Sequence, residues 1–104
     1  MNQNDKNIQD QELFQKINRE TAKISWEELQ PHYESGALVY VEPSTDLIKV
    51  AIEFSKDNKQ QVEEWLTLGA VCRVTEKQAE LWSHHNQDFW ASVIAPWILI
   101  QPVK

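Results

Sequence analysis

Apolar residues recur along this chain with two different periods, and each change of period marks a new element. Leu13, Ile17 and Ile24 fall on one helical face with Phe14 beside them, and Asp10 stands where a cap belongs, so the spacing predicts a helix from Asp10 to about Lys23. Ahead of it, residues 1–9 are polar and are expected to be disordered. Ser25-Trp26-Glu27-Glu28 has the spacing of a capping box, in which Ser25 accepts from the third helical amide and Glu28 reaches back. A second helix is therefore expected from Trp26; Pro31 limits it or opens a new first turn, and Gly36 closes it.

The unbroken apolar run Ala37-Leu38-Val39-Tyr40-Val41 reads as a buried strand, and Glu42-Pro43-Ser44-Thr45-Asp46 as a turn. The next stretch fits both periods. Ile48, Val50, Ile52 and Phe54 alternate with Lys49, Ala51, Glu53 and Ser55, as in a strand, while Leu47, Val50, Ala51 and Phe54 would also line one helix face. The β-branched residues favour a strand here, paired with residues 37–41 as a hairpin. Asp57-Asn58-Lys59-Gln60 signals another helix start, followed by Val62, Trp65 and Leu66 on one side and a stop at Gly69. Val71 to Val74 reads as a short strand, Thr75-Glu76-Lys77-Gln78 as the cap of a helix carrying Ala79 and Trp82, and His84 to Asp88 as a polar loop. Val93 to Ile100 is the last expected strand. Trp97 and Leu99 face one way along it and Ile98 and Ile100 the other, and Pro96, lacking an amide hydrogen, belongs at an edge or a bulge. The fold class expected is α+β: one domain over residues 10–104, with a small, mainly antiparallel sheet of three or four strands packed against several short helices.

Composition narrows the function classes. Ten Lys and Arg against 16 Asp and Glu give a formal charge of −6, with both halves of the chain acidic. Polyphosphate backbones and anionic lipid surfaces call for a basic face, so neither nucleic acid nor membrane is an expected partner. The apolar run at residues 93–100 is broken by Pro96 and falls far below the ~20 residues of a membrane span. The start of the chain has no apolar core of a signal peptide, and a single cysteine, Cys72, rules out an internal disulfide; a reducing, cytoplasmic location is expected.

Five stretches together resemble an uncharacterised bacterial family, domain of unknown function 2288. They are Glu20-Thr21-Ala22-Lys23-Ile24-Ser25-Trp26, Leu38-Val39-Tyr40-Val41, Asp46-Leu47, Val62-Glu63-Glu64-Trp65, and Ala95-Pro96-Trp97-Ile98-Leu99-Ile100-Gln101. The resemblance implies a small single-domain protein of the bacterial cytoplasm and lends no catalytic residues.

Candidate chemistry is sparse. His84, His85 and Asp88, with His32 as a remote third imidazole, are the nearest approach to a metal set, but adjacent histidines point apart, and imidazoles at a helix end are explained by the helix dipole. No metal and no cofactor are expected. Glu28 and His32 are four apart and could pair, but one carboxylate and one imidazole make no mechanism. Arg73 beside Cys72 could lower the thiol pKa, although a buried inert thiol in a strand accounts for the residue better. Trp26, Trp65 and Trp82 occupy core-facing helical positions, while Trp90 and Trp97 flank the last strand. Tryptophan is enriched where proteins bind, and Trp97, next to a strand irregularity, is the foremost candidate. Arg19 and Lys23, four apart on the first helix, could hold an anion, or simply belong to a solvated face.

These residues set the expectation of a non-enzymatic binding or protein-interaction module, with Trp97, Tyr40, Arg19, Lys23 and Trp26 as candidate contact residues. The alternative is a small enzyme or ligand-binding protein with a pocket near Trp97, Tyr40 and Arg19. The partner expected is a second copy, as a homodimer paired through an apolar face, or another protein.

Overall fold

In a computed structural model the backbone is described for residues 3–103 and the side chains for residues 10–103. Among them run helix α1 (Gln3–Glu20), strand β1 (Ala22–Ser25), α2 (Trp26–Glu34), β2 (Leu38–Val41), α3 (Leu47–Ser55), α4 (Lys59–Leu68), β3 (Val71–Arg73), α5 (Glu76–His85), β4 (Asp88–Ile94) and β5 (Trp97–Pro102). The strands form one sheet in the order β1-β4-β5-β2-β3. Three pairs are antiparallel, and β2 with β5 is parallel. The class is α+β and the sheet mainly antiparallel, as expected, but it has five strands rather than three or four and includes one parallel pair.

Each face of the sheet carries its own core. On one, Ile17 of α1, Leu47, Val50 and Ala51 of α3 and the partly buried Trp65 of α4 pack on Val39, Val41, Val71 and Leu99. On the other, Trp26 and Leu29 of α2 and Ala79 and Trp82 of α5 pack on Leu38, Phe89, Ala91 and Ile100. The result is three layers, helices over both faces. That accounts for the two apolar faces of β5, which lies centrally between β4 and β2. The aromatic side is dense: Trp26 contacts Tyr33, Trp82 and Phe89 at ring centroid distances of 5.8, 5.5 and 6.1 Å, and Tyr40 stacks on Trp82 at 5.5 Å.

Several expected elements are corrected. Residues 47–55 are helix α3, not a strand: Asp46 caps it, accepting at Oδ1 from the amides of Ile48 and Lys49 at 3.0 and 3.3 Å. Its alternating apolar residues are explained by packing, since Leu47, Val50 and Ala51 enter the core while Ile48, Ile52 and Phe54 flank it. Helix α1 starts at Gln3 rather than Asp10, the preceding stretch containing no Gly or Pro to stop it; residues 1 and 2 lie outside the described residues. It also ends sooner, at Glu20, and Ala22–Ser25 turn extended to pair with Asp88–Ala91, which removes Ile24 from the helical face.

Helix α2 runs through Pro31, and Ser25 makes no side-chain cap despite the capping-box spacing. The α2 amides are met instead from across the fold, Trp26 N donating to the Gln87 carbonyl at 2.8 Å and Glu27 N to Asn86 Oδ1 at 3.2 Å. The expected last strand is two: β4 and β5 form a hairpin that turns at Ala95 and Pro96, which puts Pro96 in a turn rather than at a sheet edge. The expected polar loop from His84 to Asp88 shrinks to Asn86 and Gln87, because α5 runs on to His85 and Asp88 pairs with Ser25 as the first residue of β4, while other local signals agree with the structure. Asn58 caps α4, Gly69 ends it with a positive φ of 78°, and Thr75 with Gln78 forms a reciprocal capping box on α5.

Candidate functional site

The five candidate contact residues do not meet. Trp97 points to the face covered by α1, α3 and α4, whereas Tyr40, paired in register with Ile100, belongs to the opposite face. Arg19 lies exposed in the last turn of α1. Lys23 is on β1, not on a helix, and its Nζ is 4.0 Å from Asp88 with both side chains about half exposed. Trp26, 2% exposed, is a core residue.

Of the five, Trp97 lines a concave surface. It is half-buried, and its ring stands between two adjoining cavities of about 210 and 270 Å³ that share Phe54, Val62 and Trp97 as lining. The first continues past Leu66 to Arg73, whose guanidinium lies 5.1 Å from the Trp97 ring centroid. The second opens past Ile94 and Pro96 to Asp57, Lys59 and Glu63. Together they make one apolar groove between α4 and the sheet, cationic at one end and of mixed, net acidic charge at the other. Leu66, on the groove wall, is 51% exposed.

A second concavity, of about 360 Å³, was hidden from sequence reasoning. It lies between the end of α1, the turn before α3 and the β4–β5 surface, and is lined by Asn18, Thr21, Thr45, Asp46, Leu47, Ile48, Trp90 and Gln101. Trp90, 42% exposed, projects into solvent on the same sheet face as its ladder partners Lys23 and Gln101. The only hint in the sequence is alternation: Phe89 and Ala91 face the core, so Trp90 between them must face away.

The other titratable candidates are plain surface groups or buried ones. His84 and His85 sit exposed in the last turn of α5, and among the described residues no three His, Cys, Asp or Glu side chains come together as metal ligands would. Burial pushes the Cys72 thiol pKa up, opposite to activation, and Arg73 is engaged by Trp97 and by the Gly36 carbonyl, 3.1 Å away. Burial also raises the Tyr40 hydroxyl, with Glu42 and then Cys72 adding to the effect. No described helix is long and apolar enough to cross a membrane.

Fold and site together define a small three-layer sandwich that offers concave aromatic surfaces. The chain belongs to a family described as protein of unknown function, DUF2288, whose profile matches residues 12–102. It is similar to PA1075 from Pseudomonas aeruginosa, known from an NMR solution structure, with 39% identity and a TM-score of 0.78 over 88% of this chain and 85% of that one. No curated protein matches it. Neither the family nor the solved structure indicates a function.

Proposed function

We propose that the protein is a non-enzymatic interaction module of the bacterial cytoplasm that docks a protein surface in the Trp97 groove, and that the occupant is a second copy of the chain. The observation that carries the reading is the groove itself: Trp97 stands half-buried between two cavities, and the exposed Leu66 projects from the wall of one of them. Hole and knob on a single surface are what a two-fold contact requires, because each copy fills the other. The ends of the groove favour the same arrangement. Laid antiparallel, Arg73 of one copy meets the Asp57 and Glu63 end of its partner. The chain's own helices already bury both cores of the sheet, so the contact is small and weak.

Two copies each of charge −6 repel one another, and this repulsion outweighs the weak, exposed Arg73 pairing at the ends of an otherwise apolar contact, so association tightens as salt screens the charges. Sedimentation equilibrium of the full chain tests this. Apparent mass should rise above 12.2 kDa with concentration, more steeply at high salt, and Leu66→Glu should abolish the rise without moving the melting temperature. A single species of 12.2 kDa at every concentration up to ~100 µM, in low and high salt, overturns the proposal.

A further inference from the structure

The crevice at Trp90 is lined by the Asn18 amide and the Thr45 hydroxyl, which can donate or accept, and by three side chains left with acceptors only. Both hydrogens of the Gln101 amide are used on backbone carbonyls, Nε2 donating to Glu42 at 3.0 Å and to Thr45 at 2.6 Å. Two carbonyl partners settle which end of the amide is nitrogen, so the atom left over is Oε1, an acceptor. Thr21 donates its hydroxyl proton to the Ile17 carbonyl at 2.7 Å, which leaves that oxygen able only to accept. Asp46 takes the Ile48 and Lys49 amides on Oδ1, and among the described hydrogen bonds none falls on Oδ2. Thr21, Asp46 and Gln101, each with acceptor capacity left over and one of them a carboxylate, thus line one crevice with the exposed ring of Trp90. Lys23, the cation that is Trp90's ladder partner, is directed to Asp88.

We infer that this crevice binds a guanidinium group. Such a group has donors and no acceptors, is always charged, is flat enough to lie on an indole, and is weakly hydrated for a cation, which lowers the cost of leaving water. The molecule already makes this pairing internally, where the Arg73 guanidinium lies on Trp97 and donates to a carbonyl. A volume of about 360 Å³ accommodates the group with a short alkyl stem. An acidic chain also draws such a ligand in at long range. Two sources present this chemistry, an arginine side chain on a partner protein and a free guanidino compound.

Proton–nitrogen correlation spectra of the full chain, titrated separately with agmatine, with a blocked Gly-Arg-Gly peptide and with neutral n-butylurea, test the inference. The Trp90 indole N–H and the Ile48 and Lys49 amides should shift saturably with at least one of the two guanidinium probes, and butylurea should bind about ten-fold or more weaker, the order expected for losing a charge-assisted contact. Tighter binding of the peptide identifies a protein arginine as the source; equal or tighter binding of agmatine identifies a free compound. Asp46→Asn keeps an acceptor for the α3 cap, so its melting temperature should hold while affinity falls; Trp90→Leu, at an exposed position, should weaken binding as well. Saturable shifts that are equal for butylurea, an Asp46→Asn protein that binds unchanged, or no saturation by either guanidinium probe up to ~20 mM overturns the inference.

Discussion

The Arg73 guanidinium lies 5.1 Å from the centroid of the Trp97 ring while donating to the Gly36 carbonyl at 3.1 Å. Arg73 is on the edge strand β3, opposite Val39, and reaches over β2 to the ring on β5. One side chain therefore ties three segments that are remote in the chain. Arg73→Ala should cost about 1 kcal/mol, the sum of a modest exposed cation–π contact and one exposed hydrogen bond. Arg73→Lys should recover only part, because an ammonium does not lie flat on the indole. Urea titrations measure both, and an unchanged midpoint in Arg73→Ala would show the contact to be energetically empty.

The tryptophans separate into core and surface, and truncation should separate them in energy. Trp26 is 2% exposed and meets three aromatic rings. Trp26→Ala should cost about 3–5 kcal/mol, a large share of the ~5–15 kcal/mol a small domain has. Trp97 is half-buried beside two cavities, so Trp97→Ala should cost less, about 2 kcal/mol, as fewer contacts are lost and less new void is made. Calorimetry on both variants decides it, and equal destabilisation would place Trp97 in the core proper.

Asp46 decides what residues 47–55 become. Asp46→Ala removes the acceptor of the Ile48 and Lys49 amides and should cost about 0.5–2 kcal/mol, whereas Asp46→Asn should cost little. Hydrogen exchange at those two amides gives the local readout. Unaltered protection in Asp46→Ala would mean that packing alone holds the helix start.

Tyr40 and Cys72 are partners across β2 and β3, and both hold their protons more tightly in the fold than in the unfolded chain. For Tyr40 burial is the first cause, followed by Glu42 and Cys72; for Cys72 it is burial. Because the folded pKa values are raised, the unfolded chain ionises first as pH climbs. These groups therefore leave stability unchanged near neutrality and lower it as pH rises above about 9–10. The urea midpoint should decline in that window, and more gently in a Tyr40→Phe, Cys72→Ala double variant. Equal declines in the two proteins would contradict the assignment.

The elements legible in the sequence are those held by groups within a few residues of each other. Asn58 and Thr75 bond amides three positions on, and Gly69 turns its helix off with its own backbone, so α4 and α5 could be bounded without a partner. The two apolar faces of Trp97 to Ile100 were equally plain, since alternation is local. What the sequence could not express is pairing. Ala22–Ser25 become a strand only because β4 lies beside them, and α2 starts where it does because Asn86 and Gln87 meet its amides. Residues 47–55 satisfied both periods, and a cap together with neighbours on α1 and α4 chose the helix. The Trp90 crevice is the extreme case. Thr21, Asp46, Trp90 and Gln101 are scattered along the chain, and they come together only through the β1-β4-β5 ladder and the two bonds by which Gln101 holds the turn before α3. Local periodicity reports which side of an element is apolar; which elements become neighbours depends on the loop-closure entropy and burial of the whole chain, and no short window contains that information.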